Sequence, residues 1–372
     1  MQHKFGALDL IRAGLQDLDK ARTLFDELHN DGIDDDRMRL LLTTLEKACD
    51  PDVALSNLVD IIKVMQSQGE DFTNIIADEN SFIRLITVLG VSDEMGKLMR
   101  FRPELVEAAA NDACESHLYN HEQRRAHVLK SVGADPNDHT MPTASLPLAE
   151  AATALRKTYR KQLAAIMAQD ATANDPIEIQ PRISTELSDL ADAALEGALA
   201  IARHEVDGSG HVRFAIIGMG KLGAQELNYV SDVDLIYVVE PADADTNGMT
   251  LSRVGTKMAT TLQRVCQSVI MGVAEPTLWQ IDGGLRPEGK DGPLVRRLES
   301  HEAYYEQWAE NWEFQALLKA RPVAGDSDLG QAYMSMTRPF VWTASKRDNF
   351  VLRLPADAQT CRRPYSQPAE RP

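Results

Sequence analysis

Nothing in this 372-residue sequence is apolar for long enough to cross a bilayer, and its opening residues, MQHKFGALDL, are too polar for a secretory leader. Cysteine is scarce: the four present, Cys49, Cys114, Cys266 and Cys361, lie far apart, with no C-x-x-C pair and no zinc-ligand spacing. They read as reduced, structural thiols, and the chain as a cytoplasmic protein that does not engage membranes. A basic excess is missing too. The net charge is −17 and the pI about 5.0, so the electrostatic footprint of a nucleic-acid binder is absent. Neither an internal repeat nor a coiled-coil heptad is evident. What remains is a chain long enough for two or three globular domains.

The first third reads as helices. Leu8, Ile11, Leu15, Leu18, Ala21, Leu24 and Leu28 recur at three- and four-residue spacing, and 53–65 and 83–89 continue the pattern, with Asp52 and Ser81 placed as N-caps. Residues 133–147 carry Pro136, Asn137, Asp138, Pro142 and Pro147 and read as a linker. Helices are expected over 148–169 and 185–205, separated by breaks at Pro176 and Pro181. Others are expected over 251–269 and 301–319, and a strand over 278–282. The layout is a helical region over 1–132, the linker over 133–147, long helices packing on the core over 148–207, the core itself over 208–352, and a tail over 353–372.

Residues 214–240, FAIIGMGKLGAQELNYVSDVDLIYVVE, carry the most chemistry. An apolar run is followed by a turn holding Gly218, Gly220 and Gly223, then by a second apolar run that opens with Asp232 and Asp234. Alternate strand residues share a face, so the two carboxylates aim at one point while Val233 and Leu235 pack behind them. Two such groups share a site at low cost only with a cation between them. Mg²⁺, which takes carboxylates together with substrate phosphates, suits that position. The glycine turn adds backbone N–H groups suited to a nucleotide.

The same residues also satisfy a dinucleotide fingerprint, with Glu240 near the place of its ribose-binding acid, which would make the chain a Rossmann NAD(P)-dependent oxidoreductase. The short helix between Gly223 and Asp232, the paired aspartates and the lack of a further βαβ pattern count against that reading. A P-loop would need Ser or Thr after Lys221, where Leu222 stands. On residue chemistry alone, a nucleotidyltransferase and a Rossmann domain both remain open.

GMGKLG, ELN and SDVDLI resemble the signature of the glutamine synthetase adenylyltransferase/adenylyl-removing enzymes, bifunctional members of the nucleotidyltransferase superfamily. The strings at 285–296 (LRPEGKDGPLVR), 304–326 (YYEQWAENWEFQALLKARPVAGD) and 91–104 (VSDEMGKLMRFRPE) fit the same family, in its actinobacterial form. The resemblance implies an α+β fold: a nucleotidyltransferase core, a mixed sheet with flanking helices, preceded by a helical region. It implies Asp232, Asp234 and Asp282 as catalytic Mg²⁺ ligands. It further implies Gly218, Gly220, Lys221, Gly223, Ser231, Arg286, Lys319 and Arg321 as nucleotide or phosphate contacts. Trp308, Trp312 and Phe314 read as packing. One departure stands out: many members carry D-x-R-L-R-P, whereas here Gly284 replaces the first arginine.

The resemblance is to the amino-terminal half, whose implied activity is removal of AMP from adenylylated glutamine synthetase by phosphorolysis, giving ADP. The implied partners are glutamine synthetase, adenine nucleotide and phosphate, with a PII-type signal protein as a further one. A non-catalytic fragment that only docks to glutamine synthetase or a PII-type protein is the alternative. The family pattern runs to Leu352 and then stops. Residues 353–372 hold four prolines and no apolar periodicity. A permitted back-translation shifted by one base restores the family's M-R-x-R-V-E-x-H-I-P. The tail is therefore expected to be out of frame and disordered, and the chain a shortened part of a longer enzyme.

Overall fold

The computed structural model describes residues 5–70, 72, 79–110, 119–244, 246–344 and 346. Cys114, Cys361 and the expected out-of-frame tail lie outside them. The fold is α+β, mostly helical with one small mixed sheet. The chain forms two compact units, one of residues 1–124 with 157–190, the other of 125–156 with 191–372. No helix among the described residues is long and apolar enough to cross a membrane.

The unit boundaries fall inside helices, not in the expected linker, which lies wholly within the second unit. Its prolines sit in a fastened loop. Arg125 donates to the Pro136 and Asp138 carbonyls at 3.0 and 2.7 Å, Ser145 Oγ to Gly133 O at 2.8 Å, and Arg203 to Pro142 O at 3.0 Å.

The first unit opens with helices α1 (Ala7–Arg12), α2 (Leu18–Asn30), α3 (Asp35–Leu45), α4 (Pro51–Ser67), α5 (Glu79–Val91), α6 (Asp93–Met99) and α7 (Pro103–Ala110). Leu28, Leu41, Leu45, Ile61, Leu85 and Leu89 are fully buried at their centre. The spacing locates this core but misplaces its edges. Asp50, not Asp52, caps α4 by accepting from Val53 N at 3.0 Å, with Pro51 pre-set for the first turn. Asp52 accepts from Gln16 N instead, and Ser81 lies within α5. In α1, Leu10 points inward while Leu8 and Ile11 are exposed.

Helices α8 (His121–Ser131), α9 (Leu148–Ala171) and α10 (Pro176–Glu205) follow. The expected break at Asp175-Pro176 separates α9 from α10, whereas that at Pro181 is absent. Asp175 accepts from Ile177 N and Glu178 N, Pro176 takes the first helical position, and Pro181 is accommodated inside the helix.

The sheet occupies the second unit. Strand β1 (Val212–Gly218) pairs antiparallel with β2 (Val233–Pro241), from Val212↔Pro241 to Gly218↔Leu235. On its other side β1 pairs antiparallel with β5 (Arg321–Gly325). Two short strands, β3 (Ile281–Asp282) and β4 (Val295–Arg296), run parallel to β2 along its outer edge. Antiparallel β1 and β2 exclude a dinucleotide-binding βαβ unit, which needs them parallel. The expected strand over 278–282 shortens to β3 because Leu278 N bonds instead to Cys266 O, at 2.8 Å.

Alternation of β1 and β2 serves two faces. Ala215, Ile217, Ile236 and Val238 pack with Tyr305, Phe314 and Tyr333 from α13 (Leu298–Gln307), α14 (Asn311–Leu317) and α15 (Ser327–Ala344). The helix expected over 301–319 is thus two, α14 restarting where Glu313 accepts from Glu310 N at 2.7 Å. The long helix between β2 and β3, here α12 (Gly248–Gln267), covers the opposite face, and a Cβ on its Gly255 would lie 3.0 Å from Val239 Cγ1.

The end of α12 is held by Arg156, only 1% exposed. Its guanidinium donates to the carbonyls of Val265 (2.8 and 3.2 Å), Ser268 (2.7 Å) and Glu275 (2.9 Å). Arg156→Met keeps much of the volume and strands those carbonyls. A loss of ~3 kcal/mol is expected, read from the urea midpoint, because buried acceptors without donors carry their full desolvation cost. A midpoint within error of wild type would show that water replaces the guanidinium.

Candidate active site

The connection from β1 to β2 is a single helical turn, α11 (Gly220–Gly223), joined to the sheet by Met219 N donating to Asp234 O at 2.9 Å. Its glycines answer different demands. Gly220 has φ +53°, and an added Cβ would stand 2.6 Å from Asp234 Oδ2, so this backbone runs against the carboxylate. At Gly223 a Cβ would meet Lys319 O at 1.8 Å and Gly218 O at 2.5 Å, and at Gly218 it would meet Val323 at 2.7 Å. The sequence reading assigned all three to phosphate approach. The structure gives Gly218 and Gly223 a packing reason and leaves Gly220 alone beside the acids. The turn closes with Glu226 N bonded to Lys221 O and Gln225 N to Leu222 O, which puts Gln225 in the left-handed region at φ 57°.

The parallel register of β2 and β3 sets Asp234 directly across from Asp282, on the same face of the sheet. Asp232 precedes β2 and is exposed; Asp234 and Asp282 are half-buried. Burial first, then the charges of Asp232 and Asp282, push the Asp234 carboxyl up to about 6, against a smaller opposing pull from Lys221. Asp282 accepts from Gly284 N at 2.7 Å. A side chain at 284 would crowd this turn, since its Cβ would lie 2.9 Å from Asp282 Oδ1. Asp232 and Asp282 both act on the Asp234 carboxyl, and oxygen donors of this kind are the type a hard divalent cation such as Mg²⁺ takes.

The candidate cations have different surroundings. Lys221 is exposed and acts electrostatically on Asp234. Arg286 turns to backbone, donating to Gly283 O (2.7 Å), Lys290 O (3.1 Å) and Gly292 O (3.2 Å), and so shapes the loop after β3. Lys319 pairs with Glu226 at 2.6 Å. Arg321 pairs with Asp192 at 2.5 Å and donates to Leu222 O and Gly223 O. Ser231 is half-buried beside Asp232. Glu240, weighed as a ribose ligand, accepts from Arg297 Nε and Leu298 N and so caps α13. Phe314 is buried, whereas Trp308, expected to pack, is 71% exposed.

A small mixed sheet with helices on its faces and a glycine turn leading to clustered strand acids defines a nucleotidyltransferase-like core. The chain belongs to the glutamate-ammonia ligase adenylyltransferase family, whose model matches residues 82–336. Bifunctional glutamine synthetase adenylyltransferase/adenylyl-removing enzymes are similar to it. That of Bifidobacterium longum strain DJO10A is 74% identical over 94% of this chain and 32% of its own length. That of Cutibacterium acnes is 40% identical over 92% of this chain and 34% of its own length. That of Streptomyces avermitilis is 38% identical over 95% and 33%. The family is one of enzymes, and the chain spans about a third of the length of these relatives.

Two outcomes test this geometry. Raising the folded pKa of Asp234 from 3.8 to about 6 adds stability only while the group is protonated, and that increment is lost as pH climbs through this interval. Without metal, Asp234→Asn should therefore add ~1–2 kcal/mol of stability at pH 7.5 after discounting for partial exposure, read as a higher Tm, with the gain vanishing near pH 4. A lower Tm for the variant at pH 7.5 would contradict the crowding. Gly223→Ala should cost ~3 kcal/mol or more in a denaturant titration, since backbone must move to admit the methyl. A neutral effect would mean that the approach to Lys319 is looser than described.

Proposed function

We propose that the chain is a nucleotidyltransferase domain that removes AMP from adenylylated glutamine synthetase by phosphorolysis. The observation that supports this most is the cluster of Asp232, Asp234 and Asp282 against the Gly220 backbone, together with the names carried by the relatives. An oxygen of inorganic phosphate attacks the α-phosphorus of the adenylyl-tyrosine. The new P–O bond forms as the tyrosyl O–P bond breaks, the tyrosine oxygen takes the proton brought by phosphate, and ADP leaves. Asp232, Asp234 and Asp282 would hold Mg²⁺, which when bound supplies neutralisation of phosphoryl charge and alignment of the reacting oxygens. Lys221, which acts on Asp234, the Gly220 backbone beside it and the Ser231 hydroxyl would orient the phosphates. Arg321 and Arg286 act at one remove, by fixing the loops.

One observation favours a docking-only reading, in which the chain binds glutamine synthetase or a PII-type protein without turnover. Gly284 stands where many members have arginine, and Arg286 is committed to backbone carbonyls, so Lys221 is left facing the acids with little help. The discriminating experiment incubates the chain with AMP-modified glutamine synthetase, Mg²⁺ and phosphate and measures ADP. The expected result is phosphate-dependent ADP release, lowered ~10²-fold or more in Asp234→Asn and Asp282→Asn. Binding without ADP would support docking. AMP transfer from ATP to unmodified glutamine synthetase, with no ADP formed from the modified form, would reverse the assigned direction.

A further inference from the structure

Asp192 was not singled out by sequence. It is an acid within a run of buried leucines and alanines on α10, only 1% exposed. Its carboxylate takes both arms of Arg321, Nη1 at 2.5 Å and Nη2 at 3.2 Å. The same guanidinium donates through Nη2 to Leu222 O at 3.0 Å and through Nε to Gly223 O at 3.3 Å. These carbonyls end α11, a helix too short to stand alone, because a lone turn fixes several dihedrals for few hydrogen bonds. A cation at its carbonyl end complements the peptide dipoles there, just before the chain turns left-handed at Gln225. Beyond that turn, Gly220 lies against Asp234, and Met219 N is bonded to Asp234 O.

We infer that Asp192 is a positioning residue: by fixing the Arg321 fork it holds the glycine turn at the height from which its backbone meets phosphate beside Asp234. The inference rests on the phosphorolysis reading for its kinetic consequence, but the clamp itself has an independent readout. A bidentate carboxylate locks the plane of a guanidinium, and without it Arg321 can rotate toward solvent or toward the acids of the site. A neighbour on the same helix separates positioning from general support. Glu196, one turn along, accepts from Gly325 N at 2.6 Å and pairs with Arg203 at 3.3 Å, tying α10 to β5 without touching the turn.

The test compares Asp192→Asn, Arg321→Lys and Glu196→Gln in the full chain. Amide hydrogen exchange over 219–226 is measured without substrate, and ADP formation from AMP-modified glutamine synthetase is followed as phosphate is varied. Asp192→Asn and Arg321→Lys should speed exchange over 219–226 at least ~10-fold and raise KM for phosphate more than they lower kcat. Glu196→Gln should lower Tm while leaving both the exchange and KM unchanged. Exchange over 219–226 that is the same in Asp192→Asn as in wild type overturns the clamp, as does equal acceleration in Glu196→Gln. If Asp192→Asn fails to fold, Arg321→Lys decides alone, since it keeps the buried ion pair and removes the fork. If wild type forms no ADP, the phosphorolysis reading falls and the exchange data still decide whether Asp192 holds the turn.

Discussion

The repulsion that Asp232 and Asp282 exert on the Asp234 carboxylate, near the start of β2, is the constraint around which the second unit is arranged. Asp234 and Asp282 face each other because two parallel strands place them in register, and Asp232 stands just before β2, two residues from Asp234. No apolar packing rewards that placement. The sheet tolerates it because the rest of β2, from Leu235 to Val239, is buried on both faces and holds the strand in place. The acids sit where the fold can carry strain without losing its core.

Around this centre the protein spends its positive charge on backbone. The chain has 39 basic residues against 56 acidic ones, yet Arg156, Arg286, Arg203, Arg125 and Arg321 all donate to main-chain carbonyls. Each of them fixes a loop or helix end that regular secondary structure leaves unsatisfied. The loops entering and leaving the site are held by guanidinium forks, so these arginines face backbone and not the carboxylates of the site.

Some of this was legible in the sequence and some was not, for definable reasons. The paired aspartates and the glycine turn were readable because strand period and backbone freedom are local properties. The third acid was readable through family resemblance, but the strand carrying it was overlong, because pairing with β2 rather than its own apolar content decides where β3 ends. The break before Pro176 was read correctly, but Pro181 misled because position within a helix, not mere presence, determines whether proline breaks it. Arginine roles were least legible. A charge is visible in a sequence, whereas its partner, 129 residues away for Arg321 and Asp192, is not. The split into two units was hidden for a related reason, since it cuts through helices whose periodicity continues undisturbed.

The near contact between Gly223 and the Lys319 carbonyl carries a consequence for how such a domain can vary. Two segments almost a hundred residues apart share a space that admits no extra carbon atom. Each has to fit the other as they stand. A recombinant that took the glycine turn from one relative and the 319–323 stretch from another would join surfaces shaped independently. A crossover that keeps both segments from one parent avoids that mismatch, which places the cut outside 218–325 rather than within it.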